Sequence, residues 1–264
     1  MEPNFSLAGK VIVVTGGTGV LGGAFVDGIA AAGGIVGILG RNEKIANERA
    51  NAINQKGGQA LALIADVTNE SQLEAACQQM LTAFGKIDGL VNNAALVERS
   101  TLDAETPESI ERTLQVNLKA PFFLIQAAYK ELVKNKGSVL NIGSVNAYAG
   151  ESTLLAYSIS KGAMQTMTRN LANAQGVNGV RVNQINPGWV LTEREDRDQV
   201  KKGLEPGWHQ RLEREAIPSG AMTTSAQMGE ASIYWLSDES KPFTGSVVDL
   251  EQFSIIGRNP EKLG

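Results

Sequence analysis

With 264 residues, 42% hydrophobic and 20% charged, the chain is long enough to bury most of its apolar surface and too apolar to be mainly disordered. A formal net charge of −4, with no basic cluster longer than Lys201-Lys202, argues against a nucleic-acid binder. The single cysteine, Cys77, excludes an internal disulfide, and with His209 as the only histidine no zinc site can be built from several His and Cys ligands.

Short apolar runs alternate with longer helical patterns. Residues 10–15 (KVIVVT) read as a buried strand, 21–32 as a helix, and 35–39 as a second strand. Residues 42–56 form an amphipathic helix ended by Gly57-Gly58, 60–65 a third strand, and 71–84 the next helix, with Cys77 at an apolar position. A short strand at 89–92 precedes a long helix at 114–132. Then come a strand at 138–142, a helix at 153–174, a strand at 180–185, a helix at 225–236 and a last strand at 246–250. Continuously apolar strands separated by helices predict a single-domain α/β chain over residues 1–264. Its fold is a Rossmann-like, doubly wound parallel sheet with helices on both faces. Residues 192–223 interrupt the alternation with charges, Pro206 and Pro218, after the sixth strand. Ligands bind beyond the carboxyl ends of such strands, so this stretch is a candidate substrate lid. Residues 1–9 lack the basic start and apolar run of a signal peptide, and no stretch reaches membrane-spanning length; a cytoplasmic protein without membrane contact is the expectation.

Gly17, Gly19 and Gly22 fit G-x-G-x-x-G between the first strand and the first helix. Glycines there allow a tight turn and close approach to a pyrophosphate, and the helix N-terminus offers amide donors. A site selective for NAD expects an acid at the end of the second strand. Here Arg41 follows Leu39-Gly40, and a guanidinium suits a 2′-phosphate, so NADP(H) is favoured over NAD(H).

Tyr157 and Lys161 stand four apart in a helical pattern and share a face. A phenol of pKa about 10 must fall roughly 3 units, about 4 kcal/mol, to act near neutrality. One positive charge at about 4 Å supplies that order of energy at an effective dielectric near 20.

Taken together, these motifs resemble the short-chain dehydrogenase/reductase family over nearly the whole chain. Thr15 to Gly22 is similar to its TGxxxGxG turn, Asn92-Asn93-Ala94-Ala95 to its NNAG segment, Tyr157 with Lys161 to YxxxK, and Pro187-Gly188 with Thr192 to PGxxxT. The resemblance implies catalytic roles for Asn117, Ser144, Tyr157 and Lys161. Tyr157 would transfer the hydroxyl proton, Ser144 hold the same oxygen, Lys161 lower the tyrosine pKa, and Asn117 anchor a relay water. It implies cofactor contacts from Gly16, Gly17, Gly19, Leu21, Gly22, Arg41, Asp66, Val67, Asn93, Ala94, Tyr157, Lys161, Pro187, Gly188, Val190 and Thr192, with Asp66 at the adenine, and a homotetramer. Val20 and Ala95 depart from the family's glycines. The end of the chain departs further: Val248-Asp249-Leu250-Glu251-Gln252-Phe253 replaces VDGG, and a tail through Ile255-Ile256-Gly257-Arg258 faces either substrate or a subunit.

Trp189, Glu193 and Glu251 are the candidate substrate contacts, with Arg194, His209 and Gln252 near them. Such a lid suits a sugar, polyol or keto acid better than a lipid. The reading is an NAD(P)-dependent oxidoreductase of a secondary alcohol or ketone, with no metal. A 3-oxoacyl thioester reductase and a non-catalytic nucleotide sensor are the alternatives.

Overall fold

The computed structural model describes residues 5–214 and 217–252. Residues 1–4 of the expected leaderless start, and the tail residues Ile255 to Arg258, lie outside the described residues.

Among the described residues nine strands form in chain order: β1 (Val11–Thr15), β2 (Ile35–Gly40), β3 (Gln59–Ile64), β4 (Gly89–Asn92), β5 (Ser138–Ile142), β6 (Arg181–Pro187), β7 (Val190–Leu191), β8 (Thr223–Thr224) and β9 (Val247–Leu250). Seven of them make one sheet in the order β3-β2-β1-β4-β5-β6-β9, every pair parallel. Every residue of β1, β4, β5 and β6 is buried, as expected of strands covered on both faces. The covering helices are α1 (Val20–Ala31), α2 (Glu43–Gln55), α3 (Glu70–Phe84), α4 (Pro107–Leu114), α5 (Ala120–Asn135), α6 (Leu155–Gln175), α7 (Glu193–Lys201) and α8 (Ser225–Leu236). Phe25, Ile29, Met228 and Ile233 of α1 and α8 seal one face, while Met80, Leu124, Leu132 and Ala172 of α3, α5 and α6 seal the other. The chain leaves β1 toward β2 on one side and later returns to β4 on the other, which opens a crevice at their carboxyl ends.

Two stretches differ from the sequence expectation. The helix expected at 114–132 begins at Pro107, capped by the Thr106 hydroxyl, and is broken by a π-helical turn at Gln115–Lys119 before α5. Residues 192–223 are more ordered than a loop. The Thr192 hydroxyl accepts from the Glu195 amide to start α7. The excursion is pinned at its base where β7 pairs with β8 (Val190 opposite Thr223, Leu191 opposite Thr224). Trp208, Ile217 and Met222 give it a small core of its own, packed on Trp189, Leu191 and Leu212.

Candidate active site

A cleft of about 1440 Å³ runs across the carboxyl ends of the strands. At one end is the glycine-rich turn. Gly16 has φ +66°, and its carbonyl accepts the Gly19 amide at 2.9 Å. A Cβ on Gly22 would stand 2.1 Å from that carbonyl oxygen, so no larger residue fits. Thr15 Oγ1 accepts from the amides of Asn93 and Ala94 at 3.0 Å, and Asn93 Nδ2 donates to the Thr15 carbonyl at 2.9 Å, locking the turn to the end of β4. The first turn of α1 therefore presents the amides of Val20, Leu21 and Gly22, which have no intrahelical acceptor, to the cleft. Gly17 does not reach the cleft wall; its Cα packs on β2, where a Cβ would lie 2.9 Å from Ile38 Cγ2. Val20 stands half-exposed at the start of α1, so the departure from the family's glycine leaves the turn intact.

Further along the wall lie Arg41, Asp66 and Val67. Asp66 Oδ1 accepts the Thr68 amide at 2.9 Å and its hydroxyl at 2.7 Å, while Arg41 Nη1 sits 3.6 Å from Oδ2. The Thr68 donors, then Arg41, hold the Asp66 carboxyl below its usual range. Thr18, which the sequence did not single out, lines the same end and presses on Gly40, where a Cβ would be 2.7 Å from Thr18 Oγ1. Asn93, Ala94, Pro187, Gly188, Val190 and Thr192 line the middle of the cleft.

Ser144, Tyr157 and Lys161 meet where β5 ends against α6. Ser144 Oγ accepts the Asn146 amide at 3.1 Å, a contact that does not use its own proton. Lys161 is fully buried; its Nζ donates to the Ile142 carbonyl at 2.7 Å and lies 5.6 Å from the centre of the Tyr157 ring. Burial pulls the Lys161 pKa down to about 8. The sequence argument expected Lys161 to lower the Tyr157 pKa. In the protein's own field burial dominates and pushes the phenol up, with the Ser144 hydroxyl pulling against it. The Lys161 ammonium, 5.6 Å from the ring centre, favours the phenolate without lifting that burial cost.

Asn117 lies in the π-helical turn and is fully buried behind the wall. Its Oδ1 accepts the Leu96 amide at 2.7 Å, and its Nδ2 donates to the Leu96 carbonyl at 2.9 Å and to Ser160 Oγ at 3.0 Å. Ser160 in turn donates to the Tyr157 carbonyl at 2.6 Å. Both amide hydrogens of Asn117 are thus committed, and its side chain braces the wall that carries Tyr157.

The excursion closes the far end. Trp189 stacks on Trp208 with ring centres 5.4 Å apart. The Trp189 indole N–H donates to Glu195 Oε1, and that of Trp208 to Asp196 Oδ1, at 2.8 and 2.9 Å. Glu251 reaches the cleft and accepts the Trp189 amide through Oε2 and the Gln252 amide through Oε1. Gln252 ties the end of β9 to Ser219 and Ala221. Glu193 is exposed and outside the cleft wall; His209 is also outside it, half-buried and edge-on against Trp208. Two ion pairs that no motif signals also line the cleft, Arg99 with Glu151 and Arg112 with Glu98. Among the described residues no three His, Cys, Asp or Glu side chains converge on a metal-sized site, and no helix is long and apolar enough to cross a membrane.

Known proteins share this chain's sequence pattern and its fold. The 2-dehydro-3-deoxy-D-gluconate 5-dehydrogenase of Dickeya dadantii is 32% identical over 94% of this chain and 96% of its own. The crystal structure of a gluconate 5-dehydrogenase from Burkholderia cenocepacia, in complex with NADP and tartrate, superposes with a TM-score of 0.85 at 27% identity, covering 94% of this chain and 96% of that one. A 7α-hydroxysteroid dehydrogenase complexed with NADH and 7-oxo glycochenodeoxycholic acid superposes with the same score of 0.85 at 28% identity, over 95% and 96% of the two chains. The family profile described as short chain dehydrogenase matches residues 10–202, and the chain belongs to that family of dehydrogenases and reductases acting on alcohol and ketone groups.

Proposed function

We propose that the protein is an NADP(H)-dependent dehydrogenase that interconverts a secondary alcohol and its ketone on a small, polyhydroxylated molecule. The observation that carries this is the placement of Ser144, Tyr157 and Lys161 on the wall of the same cleft whose other end is the glycine-rich turn. A dinucleotide fits that turn. Its pyrophosphate would take the free amides of Val20, Leu21 and Gly22, in space that a Cβ on Gly22 would fill. Asp66, Val67 and Ala94 would hold the adenosine half, and Arg41, with Thr18 beside Gly40, would take a 2′-phosphate. Lys161, Pro187, Gly188, Val190 and Thr192 would hold the nicotinamide half.

When bound, the nicotinamide supplies or accepts the hydride. In the reducing direction Tyr157, neutral because burial raises its pKa, gives its proton to the carbonyl oxygen as charge develops there. Ser144 donates its hydroxyl proton to the same oxygen as a hydrogen bond. Lys161, charged below about pH 8, steadies the tyrosinate that remains. Asn117 holds α6 in register through Ser160. Residues 192–223 act as a lid, with Trp189 and Glu251 at its inner surface.

The gluconate dehydrogenases support a hydroxyl-rich substrate, and the steroid dehydrogenase supports an apolar one. The indole–carboxylate contacts and ion pairs at the far end of this cleft favour the first. The test is an absorbance assay of sugars, polyols and their keto forms with both nicotinamide cofactors. Turnover of a hydroxyl-rich substrate, with NADP preferred at least about tenfold in kcat/KM, is expected. Nucleotide binding without turnover of any alcohol or ketone would contradict the reading.

A further inference from the structure

The inner surface of α7 carries a carboxylate that the reaction does not use. Glu195 Oε1 accepts two hydrogen bonds at 2.8 Å each, from the Trp189 indole and from Gln199 Nε2. Among the described residues nothing donates to Oε2, and Glu195 lines the cleft. The carboxylate is therefore held in one orientation by one oxygen, with the other open to a ligand.

Its neighbours narrow the choice of ligand. At about 100° per residue, Gln199 and Lys202 fall within about 40° of Glu195 around the helix, while Arg194 and Arg197 turn 100° or more away. Gln199 and Lys202 also line the cleft. The face that carries Glu195 thus reads acceptor, amide, ammonium over roughly 10 Å, with no net charge, while Arg194 and Arg197 line the cleft from beside it. Most of the other charges in the cleft's far half are paired. Arg99 pairs with Glu151, Arg112 lies 3.0 Å from Glu98, and Arg194 lies 3.6 Å from Asp198. Glu251 spends one oxygen each on the amides of Trp189 and Gln252. Among the described residues Arg197 and Lys202 line the wall without an ion pair, and Arg197 stands off the face that carries Glu195. A lone substrate carboxylate would meet Glu195 as a like charge, and a lone ammonium would meet Lys202. Hydroxyl groups satisfy the whole stripe, donating to Glu195 Oε2 and accepting from Gln199 and Lys202.

We infer that Glu195 is a specificity-determining residue, whose free oxygen takes two adjacent hydroxyl groups of a neutral sugar or polyol. The inference rests on the dehydrogenase reading above and chooses, within it, the neutral polyol over the keto acid. A charge-assisted hydrogen bond is about twice as strong as a neutral one, so the carboxylate is the better partner for hydroxyls than an amide.

The test is a binding titration read by tryptophan fluorescence, since Trp189 touches Glu195 directly. The full chain with saturating NADP⁺ is titrated with ribitol, D-gluconate and glucamine, as wild type and as Glu195→Gln. The amide oxygen of the variant still accepts from Trp189 and Gln199, so the lid keeps its fold and only the charge is lost. The expected result is ribitol bound most tightly by wild type, weakened about tenfold in Glu195→Gln, with gluconate unchanged or tightened. Ribitol binding that is absent, or equal in the two proteins, overturns the inference. Glucamine binding tightest would also overturn it, marking an ammonium site. A parallel turnover assay separates the two claims. The expected binding pattern without any nicotinamide reduction would uphold the hydroxyl contact and sink the dehydrogenase reading.

Discussion

The Gly22→Ala variant tests whether the glycine-rich turn is a binding device or only a tight bend. The new Cβ would stand 2.1 Å from the Gly16 carbonyl oxygen and 2.7 Å from Asn93 Nδ2. Ordinary van der Waals contact begins near about 3.5 Å, so the turn must retreat by more than about 1 Å. It cannot retreat freely, because Gly16 accepts the Gly19 amide and Asn93 clamps Thr15 from the β4 side. Overpacking of this kind costs about 1–3 kcal/mol, and the better helix propensity of alanine in α1 returns about 1 kcal/mol. Net stability should therefore fall by no more than about 2 kcal/mol. Displacement of the phosphate-binding amides by about 1 Å should cost roughly 100-fold in nucleotide affinity. Gly17→Ala supplies the contrast. Its Cβ would press mainly on the Ile38 and Val26 methyl groups, and Gly17 is outside the cleft wall. It should lower stability by about 1 kcal/mol and leave nucleotide affinity within about threefold. Calorimetric titration with NADPH, beside denaturant unfolding, reads both quantities. Gly22→Ala binding within about threefold of wild type, or Gly17→Ala losing as much affinity as Gly22→Ala, would refute the reasoning.

Arg41→Ala should weaken NADPH by about tenfold in a fluorescence titration and NADH by much less, since the exposed guanidinium holds Asp66 only at 3.6 Å and is placed for a 2′-phosphate; equal losses would remove that role. Lys161 carries its charge below about pH 8 and loses it above, so kcat/KM for NADPH, which reports the free enzyme, should fall as pH rises through that value. A profile flat to pH 9.5 would contradict the burial argument. Trp208→Ala should loosen the excursion alone, because the partners of Trp208 in its apolar cluster all lie between residues 189 and 222. Losing a buried indole costs about 3–5 kcal/mol, so limited proteolysis should cut within 192–222 while the sheet's unfolding transition barely moves. A variant as protease-resistant as wild type would refute that independence.

The sheet was legible because its strands are short, continuously apolar and bounded by turn residues, so their ends agree with the structure within a residue or two. The cleft was legible for the same reason: glycine turn, Asp66, Asn93, Ser144 and Pro187 all sit at strand ends, and strand ends meet in this fold. What failed was local helix chemistry. Thr106 with Pro107 is a cap followed by a first-turn proline, and it announces α4 seven residues before the expected start. Thr192 with Glu195 three residues on has the spacing of a capping box, and it announces α7 inside what read as a loop. In a stretch that reads as a loop, nothing distinguishes Glu193 from Glu195, whereas on α7 Glu195 lines the cleft and Glu193 does not. The Lys161 argument left burial out. Sequence spacing places two side chains on one helix face but says nothing of burial, and burial sets both pKa values here.

The central claim is that Tyr157 moves the proton. Tyr157→Phe keeps the ring, the α6 backbone and the Ser160–Asn117 brace, and removes one oxygen. The account predicts that this variant binds NADPH as wild type does and loses turnover by about 10³-fold or more on whichever alcohol or ketone the wild type accepts. Near-normal turnover in Tyr157→Phe would contradict it.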